Sequence, residues 1–66
     1  MSVAKMIELS ARSSESFEDA IASGISKAGE SVKGIQEAWV KDMKAQVSNG
    51  QVTDYQVDLK VTFVVE

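Results

Sequence analysis

Apolar and polar residues alternate at the start of this chain, then repeat every three or four positions, then alternate again to the end. The opening segment, VAKMIELS at 3–10, is rich in Val, Ile and Leu and partly alternating, which predicts a strand. From Phe17 the period changes. Phe17, Ile21, Ile25, Ala28, Val32 and Ile35 are spaced 4, 4, 3, 4 and 3 apart and draw one apolar stripe along a helix. Ser13 or Ser14 is placed to cap that helix, since a serine oxygen accepts from an orphan N–H at a helix start. Glu15, Glu18 and Asp19 near its beginning and Lys27 and Lys33 near its end suit the helix dipole. Gly34 is the expected stop. Gly24 and Gly29 inside the helix each cost about 0.5–1 kcal/mol relative to Ala. Gly24 adjoins the stripe, which points to a close approach of helix and sheet.

Residues 37–47 and 52–65 read as two further strands joined by Asn49-Gly50, a pair that tolerates positive φ and is the strongest short hairpin signal. In the last strand Tyr55, Val57, Leu59, Val61, Phe63 and Val65 share one face. Gln56, Asp58, Lys60 and Thr62 share the other, as in a half-buried strand. A two-residue turn sets Ser48 opposite Gln51, Val40 opposite Leu59, Lys41 opposite Asp58 and Trp39 opposite Lys60. Past Asp42 the apolar residues Met43, Ala45 and Val47 switch parity, so a β-bulge is expected there. The elements predict a single domain over residues 1–66, of α+β class: a three-stranded antiparallel sheet curled around one helix, in the order β-α-β-β. One helix covers one face. The other face and the edges stay open, and open edges invite a second chain.

Composition strengthens that point. A chain of about 60 residues buries only roughly 60% of its unfolded surface, so its core is marginal. There is no Cys, His or Pro among the 66 residues, which removes disulfides, zinc sites of the usual kind and rigid turns as compensation. Self-association is what remains. The net charge is −3 and the seven basic residues are scattered, so no stripe exists to neutralise a phosphate backbone, and nucleic acid is not an expected partner. No apolar run approaches the 18 or so residues that span a bilayer. The first residues, MSVAKMIELS, lack the parts of a signal peptide, and a cytoplasmic location is the default expectation.

Trp39, the single tryptophan, alternates with Ala38 and Val40 and falls on the side away from the helix. Two readings are open: an interface residue covered by a second copy, or a stacking platform for a flat, conjugated ligand. Gln56 offers donors and an acceptor that match the edge of a heterocycle, or it is an exposed strand glutamine with nothing to read. Asp54 and Asp58 lie on one face at i and i+4. They could give oxygens to a shared Ca²⁺ site, or Asp58 could pair across strands with Lys41 or Lys60. The carboxylate pairs Glu37 with Asp42 and Asp54 with Asp58 have no spacing that suggests shared acid/base work, and an enzyme is not expected.

The segments KMIELSARSSESFEDAI and DYQVDLKVTFVVE, in this order of elements, resemble the dodecins from about Val3 to Glu66. The serine-rich helix start, Tyr55-Gln56-Val57 and Val61-x-Phe63 are the most specific parts. The resemblance implies a hollow homododecamer of cubic symmetry that binds flavin (FMN, riboflavin or FAD) at subunit interfaces, for storage and protection from photochemistry rather than turnover. It implies a tryptophan stacked on the flavin ring and a glutamine on its polar edge. Gln56 falls on the family glutamine, but the family tryptophan position falls on Glu37. Trp39 is two residues on, on the same strand face, displaced by about 6–7 Å. Positions of family arginines near a flavin phosphate correspond to Lys44 and Val64. The expected cofactor site is therefore Trp39, Gln56, Glu37 and Lys44. The alternative is a dodecin-like assembly without flavin, its pockets filled by Trp39 or by another ligand or a cation such as calcium.

Overall fold

The computed structural model describes residues 3–65. Strand β1 (Val3–Ser13), helix α1 (Phe17–Gly29), strand β2 (Ile35–Ser48) and strand β3 (Gln51–Val65) follow in the expected order. The sheet is antiparallel throughout, with β3 between β1 and β2. Both outer strands keep one edge unpaired among the described residues.

The helix differs from expectation at both ends. Its N-cap is Ser16, whose Oγ accepts from the Asp19 N–H at 2.9 Å. Ser13 has a different task at the same corner: its Oγ accepts from the Glu15 and Ser16 N–H groups and donates to Asp19 Oδ2 at 2.6 Å. Four serines lie between positions 10 and 16, so sequence alone left the cap ambiguous. At the other end the helix stops at Gly29, with Glu30 as its cap, and not at Gly34. The apolar spacing runs on through Val32 and Ile35, but Ile35 belongs to β2, opposite Phe63. Gly34 serves the connection instead. Its φ is +79°, and a Cβ there would lie 3.0 Å from the Val64 carbonyl oxygen.

Asn49 and Gly50 have φ of 51° and 75°, the paired left-handed residues of a tight hairpin turn. Ser48 opposes Gln51, Val40 opposes Leu59 and Trp39 opposes Lys60, as expected. Lys41 does not oppose Asp58. It is the extra residue of a bulge between Val40 and Asp42, so Asp42 takes that place. A compensating irregularity nearer the turn leaves Thr53 unmatched on β3, and Gln46 opposes Asp54. Between the two, the parity of β2 is inverted. That is the switch that Met43 and Ala45 announced.

Ala20, Val57, Leu59 and Val61 form the fully buried core, ringed by half-buried Ile7, Leu9, Ala11, Phe17, Ile21, Ile25, Ile35, Ala38 and Val40. The Phe17 ring meets Tyr55 edge to face at 5.0 Å. Gly24 permits this packing, because a methyl there would sit 2.9 Å from the Ala11 Cβ. The helix rests mainly on β1 and β3 and scarcely reaches β2. Met43, Val47 and Val52 on the long hairpin stay exposed. The chain is correspondingly open. It presents 4737 Å² to solvent, where a compact monomer of its mass presents about 4,100 Å². Its radius of gyration is 13.6 Å against about 11 Å for a compact domain of this length.

Candidate functional site

The sheet face away from the helix is built by Ala4, Met6, Glu8, Ser10 and Arg12 of β1, by alternate residues of β3, and by Glu37, Trp39, Asp42, Lys44 and Gln46 of β2. Strand pairing arranges them in rows. Arg12, Gln56 and Lys44 form one row, Ser10, Asp58 and Asp42 the next, then Glu8, Lys60 and Trp39, then Met6, Thr62 and Glu37.

Trp39 is 63% exposed on this face. With Met6, Glu37, Ala38, Lys60 and Thr62 it lines an open hollow of about 440 Å³. A largely exposed indole over a shallow hollow fits a stacked ring. Glu37 shares that hollow. Gln56 and Lys44 do not. They stand in the row four residues away along β3, about 13 Å at the usual strand rise. The four predicted site residues therefore separate, within one chain, into Trp39 with Glu37 and Gln56 with Lys44. Val64 lies four residues from Lys60 in the opposite direction, opposite Ala4 near the end of β3.

Gln56 is fully engaged. Its Oε1 accepts from Arg12 Nε at 3.2 Å and from Gln46 Nε2 at 3.3 Å. Its Nε2 donates to Ser10 Oγ at 3.2 Å and Asp58 Oδ1 at 3.3 Å. These four bonds use both donors and both lone pairs of the amide. Ser10 Oγ also donates to Asp58 Oδ1 at 2.9 Å. The bonds from Ser10 and then Gln56 hold the Asp58 carboxyl below its ordinary pKa, helped by Lys44 and Lys41 and opposed by partial desolvation. The nearest cation to Asp58 is Lys44, at 3.9 Å, and not Lys41 or Lys60 as the strand alternation suggested. Asp54 sits apart, opposite Gln46. Among the described residues no group of three or more His, Cys, Asp or Glu side chains is placed to hold a metal ion.

Sequence reasoning missed Ser10, Arg12 and Gln46 as partners of Gln56. Continuing the alternation of β1 beyond position 10 would have put Ser10 and Arg12 on one face. Their pairing with Gln56 still needed the register between the first and last strands, which no local turn specifies.

The sequence pattern of the dodecin family matches residues 3–66. The chain belongs to that family. An arginine-to-alanine variant of Thermus thermophilus dodecin is 30% identical, with a TM-score of 0.94 over 100% of this chain and 98% of that one. Dodecin from Streptomyces davaonensis is 25% identical, with a TM-score of 0.93 over 98% and 96% of the two chains. A calcium-chelating antigen of Mycobacterium tuberculosis, calcium dodecin, is 31% identical, with a TM-score of 0.83 over 97% and 91%. No curated protein matches. The strand–helix–strand–strand order and three-stranded antiparallel sheet of this dodecin are those of its solved relatives. No helix among the described residues is long and apolar enough to cross a membrane.

Proposed function

We propose that this dodecin is a non-enzymatic flavin-binding protein that stores and buffers flavin in a hollow homododecamer, the ring stacked on Trp39 where copies of the chain meet. The observation that carries the reading is the exposed indole on the open sheet face of a dodecin-family chain. The small core and the surplus surface support assembly, because covering the open face supplies burial that the helix does not. Glu37 lies beside the stacked ring. Gln56 and Lys44, too distant within the same chain, reach it from a neighbouring copy, after some of the Gln56 bonds are released. Bound flavin supplies a conjugated ring whose excited state an adjacent indole can quench by electron transfer. The chain itself supplies the platform, the polar boundary and the exclusion of water. The protein works in the cytoplasm and needs neither nucleic acid nor membrane.

Titration of the purified protein with riboflavin or FMN tests this directly. Both flavin and Trp39 emission should fall at micromolar protein, and the particle should have the mass of twelve 7.1 kDa chains. Unchanged emission ends the flavin reading. A monomer that stays intact on its own ends the assembly.

A second reading has its own support. The likeness to a calcium-chelating dodecin, together with an amide at Gln56 already saturated, favours an assembly whose interfaces are filled by Trp39 or hold a cation instead. Calcium uptake measured by calorimetry, without flavin quenching, would select it.

A further inference from the structure

The bulge in β2 does more than restore the register. It inserts Lys41 next to Trp39 and sends its side chain over the open face, across β3, to Glu8 on β1. The Lys41 ammonium is 5.9 Å from the Trp39 ring centre and 3.1 Å from Glu8 Oε1. It also walls a hollow of about 360 Å³, lined by Glu8, Ser10, Asp42 and Asp58, that lies between the Trp39 row and the Gln56 row. No other cation on this face is placed against the indole among the described residues.

We propose that Lys41 is the specificity-determining residue of the Trp39 platform, donating to the acceptor edge of a planar heterocycle stacked there and rejecting planar cations. This deepens the flavin reading and rests on it. Gln56 of the same chain cannot take that part, being four residues distant along β3 and fully hydrogen-bonded. Lys41 can. An ammonium has three donors and no acceptor, so it reads carbonyl and imine edges and ignores N–H edges. Its flexible stem allows the ammonium to move from the face of the indole to the rim of an arriving ring. The Glu8 pair does not lock it, since both partners are partly exposed, and surface pairs of this kind contribute little. Glu8 keeps the ammonium near the platform until an acceptor edge replaces it. A ring carrying positive charge meets the opposite situation: it must displace an ammonium with which it shares its sign.

Two probes of similar ring size separate this from a merely structural lysine: riboflavin, with a carbonyl-rich edge, and proflavine, a planar cation. Both are titrated against the intact assembly by quenching of Trp39 emission, for wild type, Lys41→Met, Lys41→Arg and Glu8→Gln. Lys41→Met should weaken riboflavin by about tenfold or more, the worth of one charge-assisted hydrogen bond, and should strengthen proflavine. Lys41→Arg should restore most of the riboflavin affinity. Glu8→Gln, which removes only a partly exposed surface pair, should leave riboflavin affinity within about twofold of wild type. Equal weakening of both probes in Lys41→Met, or riboflavin affinity unchanged, overturns the role of Lys41 and leaves the flavin reading standing. Failure of the wild type itself to bind riboflavin overturns the flavin reading, and this inference with it.

Discussion

Replacing Trp39 with alanine separates a residue of the protomer from a residue of the assembly. The ring is 63% exposed in the single chain. A fully buried aromatic covers up to about 250 Å², so roughly 160 Å² of this one awaits cover and roughly 90 Å² is already in contact. At about 25 cal/mol per Å² these areas correspond to about 4 and about 2 kcal/mol, both upper figures. Trp39→Ala should thus cost the isolated chain no more than about 2 kcal/mol and the assembled chain about 4 kcal/mol beyond that. The second amount is close to a thousandfold in the association constant per contact. Two measurements divide the terms. Particle mass is followed across serial dilution, and denaturant unfolding is recorded at widely separated protein concentrations. The variant should fall apart at concentrations where the wild type stays whole, and the deficit should shrink once both are monomeric. A deficit that is independent of concentration and larger than about 3 kcal/mol would mean that the indole belongs to its own subunit's core, and the argument from exposure would be wrong.

Two helix glycines should respond with opposite signs. Gly24→Ala places a methyl 2.9 Å from the Ala11 Cβ, and overpacking of about 1–3 kcal/mol outweighs the propensity gain of about 0.5–1 kcal/mol. Gly29→Ala meets nothing within 4 Å and should stabilise by a few tenths to about 1 kcal/mol, both read from urea midpoints. Asp58 should give the protein part of its acid sensitivity. Its pKa is lowered in the folded chain, so the stability it contributes is complete above the ordinary aspartate range and is lost as pH falls through the depressed folded value. Thermal melting between pH 2 and 7 should show a shallower acid limb for Asp58→Asn than for wild type, and an identical limb would refute the assignment.

The hairpin was legible because its register is a local property. Asn49-Gly50 fixes the turn, and counting outward from it gives Trp39 opposite Lys60. That count succeeds although it passes two irregularities, because the unmatched Thr53 on β3 and the unmatched Lys41 on β2 cancel. Only the parity of Met43 and Ala45 betrays the stretch between them. The helix ends were less legible. Its serines compete for one cap, and Ile35 satisfies both the helical period and the sheet that claims it. The partners of Gln56 were hidden for a different reason. Arg12 and Ser10 come from a strand more than 40 residues away in sequence, and their alignment depends on packing of the helix between the strands. The separation of Trp39 from Gln56 was legible from spacing. The saturation of the Gln56 amide was not, since hydrogen-bond completeness is a property of three strands at once.

Placing a ligand between copies ties storage to assembly, and the tie is reciprocal. A flavin that touches Trp39 of one chain and the Gln56 row of another binds the assembled state and not the separated chain, so it must stabilise the contacts that form its site. At a free concentration one hundred times its dissociation constant it adds about 2.7 kcal/mol per site. For a chain with so few fully buried side chains, that is a substantial share of a typical stability of 5–15 kcal/mol. Loaded protein should therefore melt at higher temperature and survive greater dilution than empty protein, and dilution below the assembly threshold should release flavin with recovery of its emission. If loading left both the melting temperature and the dilution threshold unchanged, flavin would be held within one protomer, and the open sheet face would need a different explanation. The design follows from size. Sixty-six residues with one helix leave the second face of the sheet uncovered, and on the proposed reading Trp39 and Met6, exposed among the charged rows of that face, are the apolar area that a second copy and a flat ligand would bury.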